Sequence, residues 1–289
     1  MLREQITAYY QLTKPGVMYG NVLTAMAGFF LASAGNIDGL LLLGMTLGMV
    51  FIVSGACALN NYLDRDIDAK MSRTKKRPSV TGVISPRRIF IYAITLSSIG
   101  AAILYVYTNM LTFIIGSIGY VTYVWLYGAW SKRQSVHGTA IGSVSGAMPI
   151  AAGYAAVSGS IDAGLIIVFL LLYFWQFAEF FSIAIYRKKE YEAAGIPLLP
   201  IVHGTRATVL RIFVYTVLYV ITTLLLPALG YTGWVYVGVM LLAGLYWVTI
   251  AYEGFRVTDS SEWAKKMFRI SLFMILLLCF MLSVGPVLP

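Results

Sequence analysis

The chain has 289 residues, of which 59% are hydrophobic and 11% are charged, with a mean hydropathy of +0.79. A soluble domain of this length cannot bury so much apolar surface, so the composition excludes a soluble globular protein and indicates a polytopic membrane protein. The net charge of +9 would suit anionic membrane lipid. No basic segment has the surroundings of a nucleic-acid-binding module, so nucleic acid is not an expected partner.

Apolar segments of about 20 residues, the length that crosses a bilayer, recur along the whole chain. They predict an all-α protein with nine membrane spans in a single domain over residues 1–289. We number the predicted spans 1 to 9 in chain order. They lie near residues 16–34, 40–60, 88–107, 110–129, 138–157, 164–186, 209–229, 232–252 and 268–287.

The lysines and arginines fall on alternate connections. Nine spans put the N-terminus and the connections that follow even-numbered spans on one side of the membrane, and all 21 Lys and Arg residues lie there. The positive-inside rule therefore predicts a cytoplasmic N-terminus and an external C-terminus. The polar N-terminal segment has no signal or transit character, which favours a bacterial or archaeal plasma membrane.

The first charged cluster follows span 2 and contains three aspartates. On a helix, Asn60, Asp64 and Asp68 fall at i, i+4 and i+8 and share one face, whereas Asp66 points elsewhere. Aligned oxygen ligands suit Mg²⁺, and the cations beyond them suit a phosphate-rich ligand. A solvated helix end is the alternative, and the position at the end of a membrane span argues against it. The cations are Lys70, Arg73, Lys75, Lys76 and Arg77.

Span 6 contains Glu179, the one carboxylate well inside an apolar run. An acid inside a membrane is costly, so we expect a functional residue, or alternatively a structural polar pair, facing the protein interior. A second charged cluster, residues 187–200, follows this span. Two clusters four spans apart predict two four-helix halves with a site between them. Before span 9, residues 259–266 predict a separate amphipathic interfacial helix.

Five segments resemble the UbiA-type intramembrane prenyltransferases, and among them most closely the branch that farnesylates haem. The resemblance implies nine helices around a central cavity that opens to lipid, with a cytoplasmic cap. It implies Mg²⁺-dependent transfer of a farnesyl group from farnesyl diphosphate to a vinyl group of haem B, which gives the hydroxyethylfarnesyl side chain of haem O. A downstream haem-modifying or oxidase-assembly protein is a further expected partner. The segments are TKPG (13–16), NNYLDRDIDAKMSRTKKRP (60–78), KRQSVHGTAIGSVSGAMP (132–149), YRKKEYEAAGIPLLPIVHG (186–204) and WAKKMF (263–268).

The match of these motifs implies a role for each charged cluster. Asn60, Asp64 and Asp68 would hold Mg²⁺, and Asp64, Asp68, Glu179 and Glu190 would take part in catalysis. Asn61 occupies a position that is often acidic elsewhere in the family. The residues implied to bind substrate are Lys14, Asn61, Arg73, Lys75, Lys76, Arg77, Lys132, Arg133, Lys188, Lys189 and Tyr191.

Span 6 departs from the family pattern. Haem-directed relatives commonly carry Trp-Gln-x-Pro-His where residues 175–179 of this chain read Trp-Gln-Phe-Ala-Glu. If that histidine helps to bind haem, Glu179 is either a weaker oxygen ligand or has a different task. A prenyltransferase for another lipophilic acceptor, such as a quinone precursor, is therefore an alternative. A cation transporter that uses Asp64, Asp68 and Glu179 is an alternative of a different class.

Overall fold

The computed structural model describes residues 2–289. Every regular element within this range is helical, and nine of its helices are long and apolar enough to cross a membrane. The predicted all-α, nine-span architecture is therefore confirmed. Spans 1 to 9 are Pro15–Ser33, Gly39–Leu63, Pro86–Tyr107, Met110–Gln134, Gly138–Ser158, Ala163–Tyr186, Gly204–Ala228, Trp234–Glu253 and Ser260–Val284.

Short helices occupy the N-terminal segment and the two connections that carry the charged clusters. Two of these helices, Pro78–Thr81 and Leu199–Val202, have a proline in the first turn, where it lacks only a donor that would have no partner within the helix. The two connections are thus folded segments and not open loops. The short helices are Leu2–Leu12, Arg65–Asp68, Pro78–Thr81, Lys188–Ala193 and Leu199–Val202.

Two spans begin earlier than hydropathy predicts. Span 7 begins at Gly204 and not near 209, and span 9 begins at Ser260 and not near 268. The prediction of a separate interfacial helix at 259–266 is therefore wrong, because this segment forms the first turns of span 9. Hydropathy marks the part of a helix that lies in hydrocarbon, and a helix can continue beyond it with charged residues.

The start of span 9 is fixed by a cap and by a buried indole. The Asp259 side chain accepts hydrogen bonds from the backbone N–H groups of Ser261 and Glu262 at 2.8 and 3.3 Å. Trp263 is buried, and its indole N–H donates to the carbonyl of Ile250 at 2.8 Å. Span 9 is therefore joined to the end of span 8 before it enters the membrane core.

Spans 5 and 6 are the most buried helices of the bundle, and span 9 packs beside span 6. Span 5 packs against spans 1, 4 and 6, and span 9 packs against spans 6, 8 and 1. The indole N–H of Trp175 in span 6 donates to the Ser271 carbonyl in span 9 at 2.8 Å. Spans 1, 2, 4, 5, 6 and 9 contribute side chains to the same interior cavity.

Spans 1 and 5 approach each other so closely that their contact needs glycine. A Cβ atom at Gly153 would lie 1.8 Å from the carbonyl oxygen of Ala25, and one at Gly28 would lie 2.1 Å from that of Ile150. Both obstacles are backbone atoms, which cannot turn aside as a side chain can. Small residues allow this kind of backbone contact between membrane helices, where packing takes the place of a hydrophobic driving force.

We expect Gly153→Val to destabilise the protein by more than about 2 kcal/mol, because the added side chain must push spans 1 and 5 apart. Thermal unfolding of the purified protein in detergent measures the effect as a fall in Tm. Gly238→Val in span 8 is the matched control, because a Cβ there meets nothing within 4 Å. Equal changes in Tm for the two variants would contradict the packing role of Gly153.

Candidate functional site

Asn60, Asp64 and Asp68 lie on one buried face at the end of span 2. The helix ends at Leu63, but its hydrogen bonding continues in register: Asp64 N–H donates to Asn60 O at 2.9 Å and Asp68 N–H to Asp64 O at 2.8 Å. The three residues are only 2%, 1% and 3% exposed. The Asp66 side chain, by contrast, is 62% exposed. The helical spacing therefore gives the arrangement in space that it predicts.

A cation contacts each of the three side chains on this face. The cations come from the segment before span 1, from the end of span 4 and from the connection after span 2, so the cluster joins three distant parts of the chain. The contacts are Lys14 Nζ to Asn60 Oδ1, Lys132 Nζ to Asp64 Oδ2 at 2.5 Å, and Arg77 Nη1 to Asp68 Oδ2 at 2.6 Å.

The oxygen atoms of this cluster fit a hard cation. Asp64 Oδ1 is buried and accepts no hydrogen bond, although Arg133 Nη2 lies 3.9 Å away. No group of three or more His, Cys, Asp or Glu residues among residues 2–289 could form a metal site alone. Mg²⁺ commonly binds through one or two carboxylates and completes its shell with water and substrate phosphates. Asn60, Asp64 and Asp68 therefore fit a magnesium ion that arrives with a phosphorylated substrate.

Lys14 carries a positive charge that the neighbouring residues neutralise only in part. Burial, together with the charge of Arg77, lowers the pKa of its ammonium group to about 8. Its backbone adopts a left-handed conformation, with φ of 49°. A buried cation with a lowered pKa is stabilised by a nearby anion, so this end of the bundle suits an anionic ligand.

Arg133 has a place different from that of its neighbour Lys132. Its guanidinium donates two hydrogen bonds to Asp66, at 2.7 and 2.8 Å, and one to the carbonyl of Leu63 at 2.7 Å. The bond from Arg133 holds the pKa of Asp66 down at about 2. Arg133 does not line the interior cavity, whereas Lys132 does. Its contacts indicate a positioning residue that fixes the turn after span 2.

An apolar cavity of about 660 Å³ begins beside Lys132 and extends into the bundle. Among the described residues that line it, Lys132 is the only cation and Glu179 the only acid. Val17 and Leu23 of span 1 and Leu272 and Leu276 of span 9 line the cavity and are also exposed on the outer surface. The cavity therefore opens sideways between spans 1 and 9.

The remaining residues predicted to bind substrate do not all face this cavity. Tyr191 lines it. A second pocket of about 220 Å³ lies between the end of the N-terminal helix and the connection after span 2, and it includes four of the predicted residues. The basic stretch is therefore divided between two surfaces. Asn61, Arg73, Lys76 and Arg77 line the second pocket, whereas Lys75, Lys188 and Lys189 line neither of the two.

The second charged cluster faces the first across the end of the bundle. Arg187 Nη1 contacts Glu190 Oε1 at 3.1 Å, and the other carboxylate oxygen of Glu190 is buried without a hydrogen-bond partner. Burial also raises the pKa of the Tyr191 phenol. The unpaired oxygen of Glu190 is the kind of atom that a bound ligand or metal would satisfy.

An apolar seam joins the two charged connections. The seam consists of Ile67 and Met71 from the connection after span 2, and Ala194 and Ile196 from the connection after span 6. All four side chains are buried, with exposures of 3% to 7%. The two connections therefore pack together at one end of the cavity, as the layout of the sequence predicts.

Sequence reasoning did not identify Tyr123 and Tyr127 as site residues. They lie in a ten-residue π-helical segment of span 4, Thr122–Ser131, and both line the cavity. Their rings stack with centroids 6.1 Å apart. Gly128 in the same segment makes room for Asn60, because a Cβ there would lie 3.1 Å from the Asn60 amide nitrogen. The four-residue spacing of Tyr123 and Tyr127 indicates a shared helix face, but spacing alone does not predict a π-helix.

The fold and the site define a membrane protein that can receive an amphiphile from lipid, with its anionic head at the charged cluster and its apolar part in the cavity. The chain belongs to the UbiA prenyltransferase family, and the sequence model of that family matches residues 21–277. It is 43% identical over 270 residues to a protoheme IX farnesyltransferase of Protochlamydia amoebophila, with 93% of this chain and 95% of the relative covered. It is equally identical over 276 residues to protoheme IX farnesyltransferase 2 of Pseudomonas putida strain GB-1, with 96% and 94% covered.

Solved structures share the fold at much lower sequence identity. A digeranylgeranylglyceryl phosphate synthase has a TM-score of 0.83 at 18% identity, with 98% of this chain and 99% of that chain covered. A UbiA homologue from Archaeoglobus fulgidus, bound to GPP and Mg²⁺, has a TM-score of 0.72 at 16% identity, with 96% and 99% covered. The likeness extends over almost the whole nine-span bundle.

Proposed function

We infer that this protein transfers a farnesyl group from farnesyl diphosphate to a vinyl group of protohaem IX (haem B) and thereby forms haem O. The observation that carries this inference is the 43% identity, over 93% of the chain, to a protein named protoheme IX farnesyltransferase. The site agrees with it, because a charged end suits a diphosphate and an apolar cavity open to lipid suits two hydrophobic reactants.

The charged end would bind the diphosphate of the donor. Asn60, Asp64 and Asp68 would hold Mg²⁺, which when bound neutralises charge on the diphosphate as it leaves. A UbiA homologue bound to GPP and Mg²⁺ supports this assignment. Lys132 is the cation best placed to contact the diphosphate, because it lines the cavity and also contacts Asp64. Lys14, Glu190 and Tyr191 would complete the binding surface.

The cavity would protect the reacting carbon atoms from bulk water. Departure of diphosphate leaves an allylic cation that water would destroy, and the apolar walls limit its access. The faces of Tyr123 and Tyr127 can stabilise that positive charge. Haem B would reach the farnesyl C1 atom from the side, through the opening between spans 1 and 9.

We further propose that the charged end faces the cytoplasm of a bacterial or archaeal plasma membrane and that residues 1–289 act as a single domain. The chain is a multi-pass membrane protein. The confinement of all lysines and arginines to one set of connections supports the orientation.

Removal of the metal is expected to stop turnover. The purified protein is incubated with farnesyl diphosphate, haem B and Mg²⁺. The haem products are then separated, and their masses are measured by mass spectrometry. EDTA should reduce haem O formation by more than about 100-fold, since the charge of the leaving diphosphate is no longer neutralised. Excess Mg²⁺ should restore it. Undiminished haem O in EDTA would refute the metal assignment, and absence of any farnesylated haem with Mg²⁺ would refute the proposed function.

A further inference from the structure

The cavity lining contains a carboxylate, that of Glu179, which has no role in the proposed binding of the diphosphate. Glu179 lies seven residues before the end of span 6, so it sits roughly 10 Å along the helix from the charged connection. It makes no hydrogen bond or ion pair with any described residue, and in particular none with Lys132. A carboxylate in an otherwise apolar cavity is costly unless it has a task there.

Gln176 presents a second acceptor on the same face of span 6. It precedes Glu179 by three residues, so the two side chains are neighbours on the helix surface. Its amide nitrogen donates to the carbonyl oxygens of Ser143 and Leu172, at 3.2 and 3.0 Å. These two bonds fix which end of the amide is the nitrogen, and they leave Oε1 without a donor.

Gly146 of span 5 provides the space that the Gln176 Oε1 atom occupies. A Cβ atom at Gly146 would lie only 2.0 Å from Gln176 Oε1. Span 5 thus has space for the amide only because residue 146 lacks a side chain. The result is a carboxylate and an amide oxygen, both acceptors, on two residues of span 6 that lie three positions apart and line the cavity.

Two neighbouring acceptors without a donor suit a molecule that donates twice, such as water. A buried water needs at least two polar partners, and these are the only carboxylate and the only side-chain carboxamide of span 6 that line the cavity. The proposed reaction consumes one water molecule, because the product carries a hydroxyl group that neither haem B nor farnesyl diphosphate supplies.

We propose that Glu179, with Gln176 Oε1, binds the water molecule that becomes the product hydroxyl and accepts its proton. This proposal rests on the proposed function. The vinyl double bond attacks farnesyl C1, whose bond to the diphosphate oxygen breaks, so diphosphate leaves with that electron pair. The new carbon–carbon bond leaves a cation on the vinyl carbon next to the macrocycle. The water oxygen bonds to that carbon, and one proton passes to the Glu179 carboxylate.

The position of the pair explains how one water can react while bulk water is excluded. Lys132 and Glu179 are the two charged groups of the cavity lining, and no contact joins them. The first cation forms beside the diphosphate, at the Lys132 end, and the second forms on the acceptor. A water held by Glu179 is therefore kept apart from the diphosphate and available to the acceptor cation, while the apolar walls keep bulk water away.

The test compares wild type, Glu179→Gln, Glu179→Asp and Glu192→Gln, each as the purified full chain with Mg²⁺, farnesyl diphosphate and haem B in water enriched in oxygen-18. Wild type should give haem O that contains the heavy isotope. Glu179→Gln should form haem O about 100-fold more slowly, as expected for loss of a general base. A farnesylated haem lighter by one water should then become the main product, because the second cation loses a proton in place of gaining water.

The other variants and measurements keep the proposal refutable. Glu179→Asp keeps the carboxylate and should retain hydroxylated product at a rate reduced about tenfold, and Glu192→Gln on the exposed surface should match wild type. KM for farnesyl diphosphate should not change in Glu179→Gln, which shows that the fold and the diphosphate site are intact. The proposal is overturned if Glu179→Gln gives only hydroxylated product, at any rate, or if the Gln and Asp variants give the same product ratio. Failure of the proposed function itself would appear separately, as wild type that forms no farnesylated haem.

Discussion

Asp64→Asn should reduce haem O formation by about 1,000-fold or more. Asp64 is 1% exposed, contacts Lys132 through one carboxylate oxygen and leaves the other without a hydrogen-bond partner. Asparagine keeps the shape but removes the charge, so it should weaken both the binding of the proposed Mg²⁺ and the alignment of Lys132. Loss of one group that stabilises developing charge typically costs 100- to 1,000-fold in rate, and Asp64 would serve two such groups.

Asp66→Asn is the matched control, since it makes the same chemical change two residues away. Asp66 lies on the opposite, exposed side of the turn and contacts Arg133. An exposed ion pair contributes about 0–1 kcal/mol, so we expect less than a tenfold loss of turnover. Steady-state rates of both variants, together with Tm in detergent, provide the comparison. Equal losses of turnover would show that the buried face does not determine catalysis.

Lys132→Met should lower kcat/KM for farnesyl diphosphate by about 100-fold. Methionine fills a similar space but carries no charge, so the diphosphate would lose the one cation that lines the cavity within residues 2–289. The same change leaves Asp64 without its closest partner, which lay at 2.5 Å. Binding of farnesyl diphosphate, measured by protection against thermal unfolding, should weaken in parallel with turnover.

Lys70→Met tests whether the effect is specific. Lys70 is exposed in the connection after span 2, and it lines neither pocket. This variant also lowers the net charge by one, so it controls for the general attraction of an anionic substrate to a basic surface. We expect its kcat/KM to stay within about twofold of wild type, since exposed charges are largely screened. A loss of kcat/KM as large as that of Lys132→Met would show that the net charge of the protein, and not the position of the lysine, determines the effect.

The sequence predicts the fold well because the membrane restricts the choices. Apolar segments of about 20 residues can hardly be anything but spanning helices, and backbone polar groups must pair within each helix. Helix ends are a different matter. Span 9 begins at Ser260, eight residues before its predicted start, because Asp259 and Trp263 fix that start through contacts outside the hydrocarbon.

The site is predictable only where local geometry decides it. The shared face of Asn60, Asp64 and Asp68 follows from helix periodicity. Which cations meet that face does not, because Lys14 and Lys132 lie 46 and 68 residues from their partners in the chain. The sequence also does not show that Lys132 lines the cavity whereas its neighbour Arg133 does not. Their directions depend on the π-helical turns that precede them, which change the phase that an α-helix would give.

The apolar seam between the two charged connections has a consequence for motion. Lifting the connection after span 2 from the bundle would expose Ile67 and Met71, at a cost of about 1.5–3 kcal/mol for each side chain. The same movement would uncover Ala194 and Ile196. Separation of the two connections would therefore expose both sets of side chains together, and the backbone amides of both connections should lose protection against deuterium exchange in the same opening event. Segments that lie far apart along the chain are thus coupled in stability at this end of the cavity.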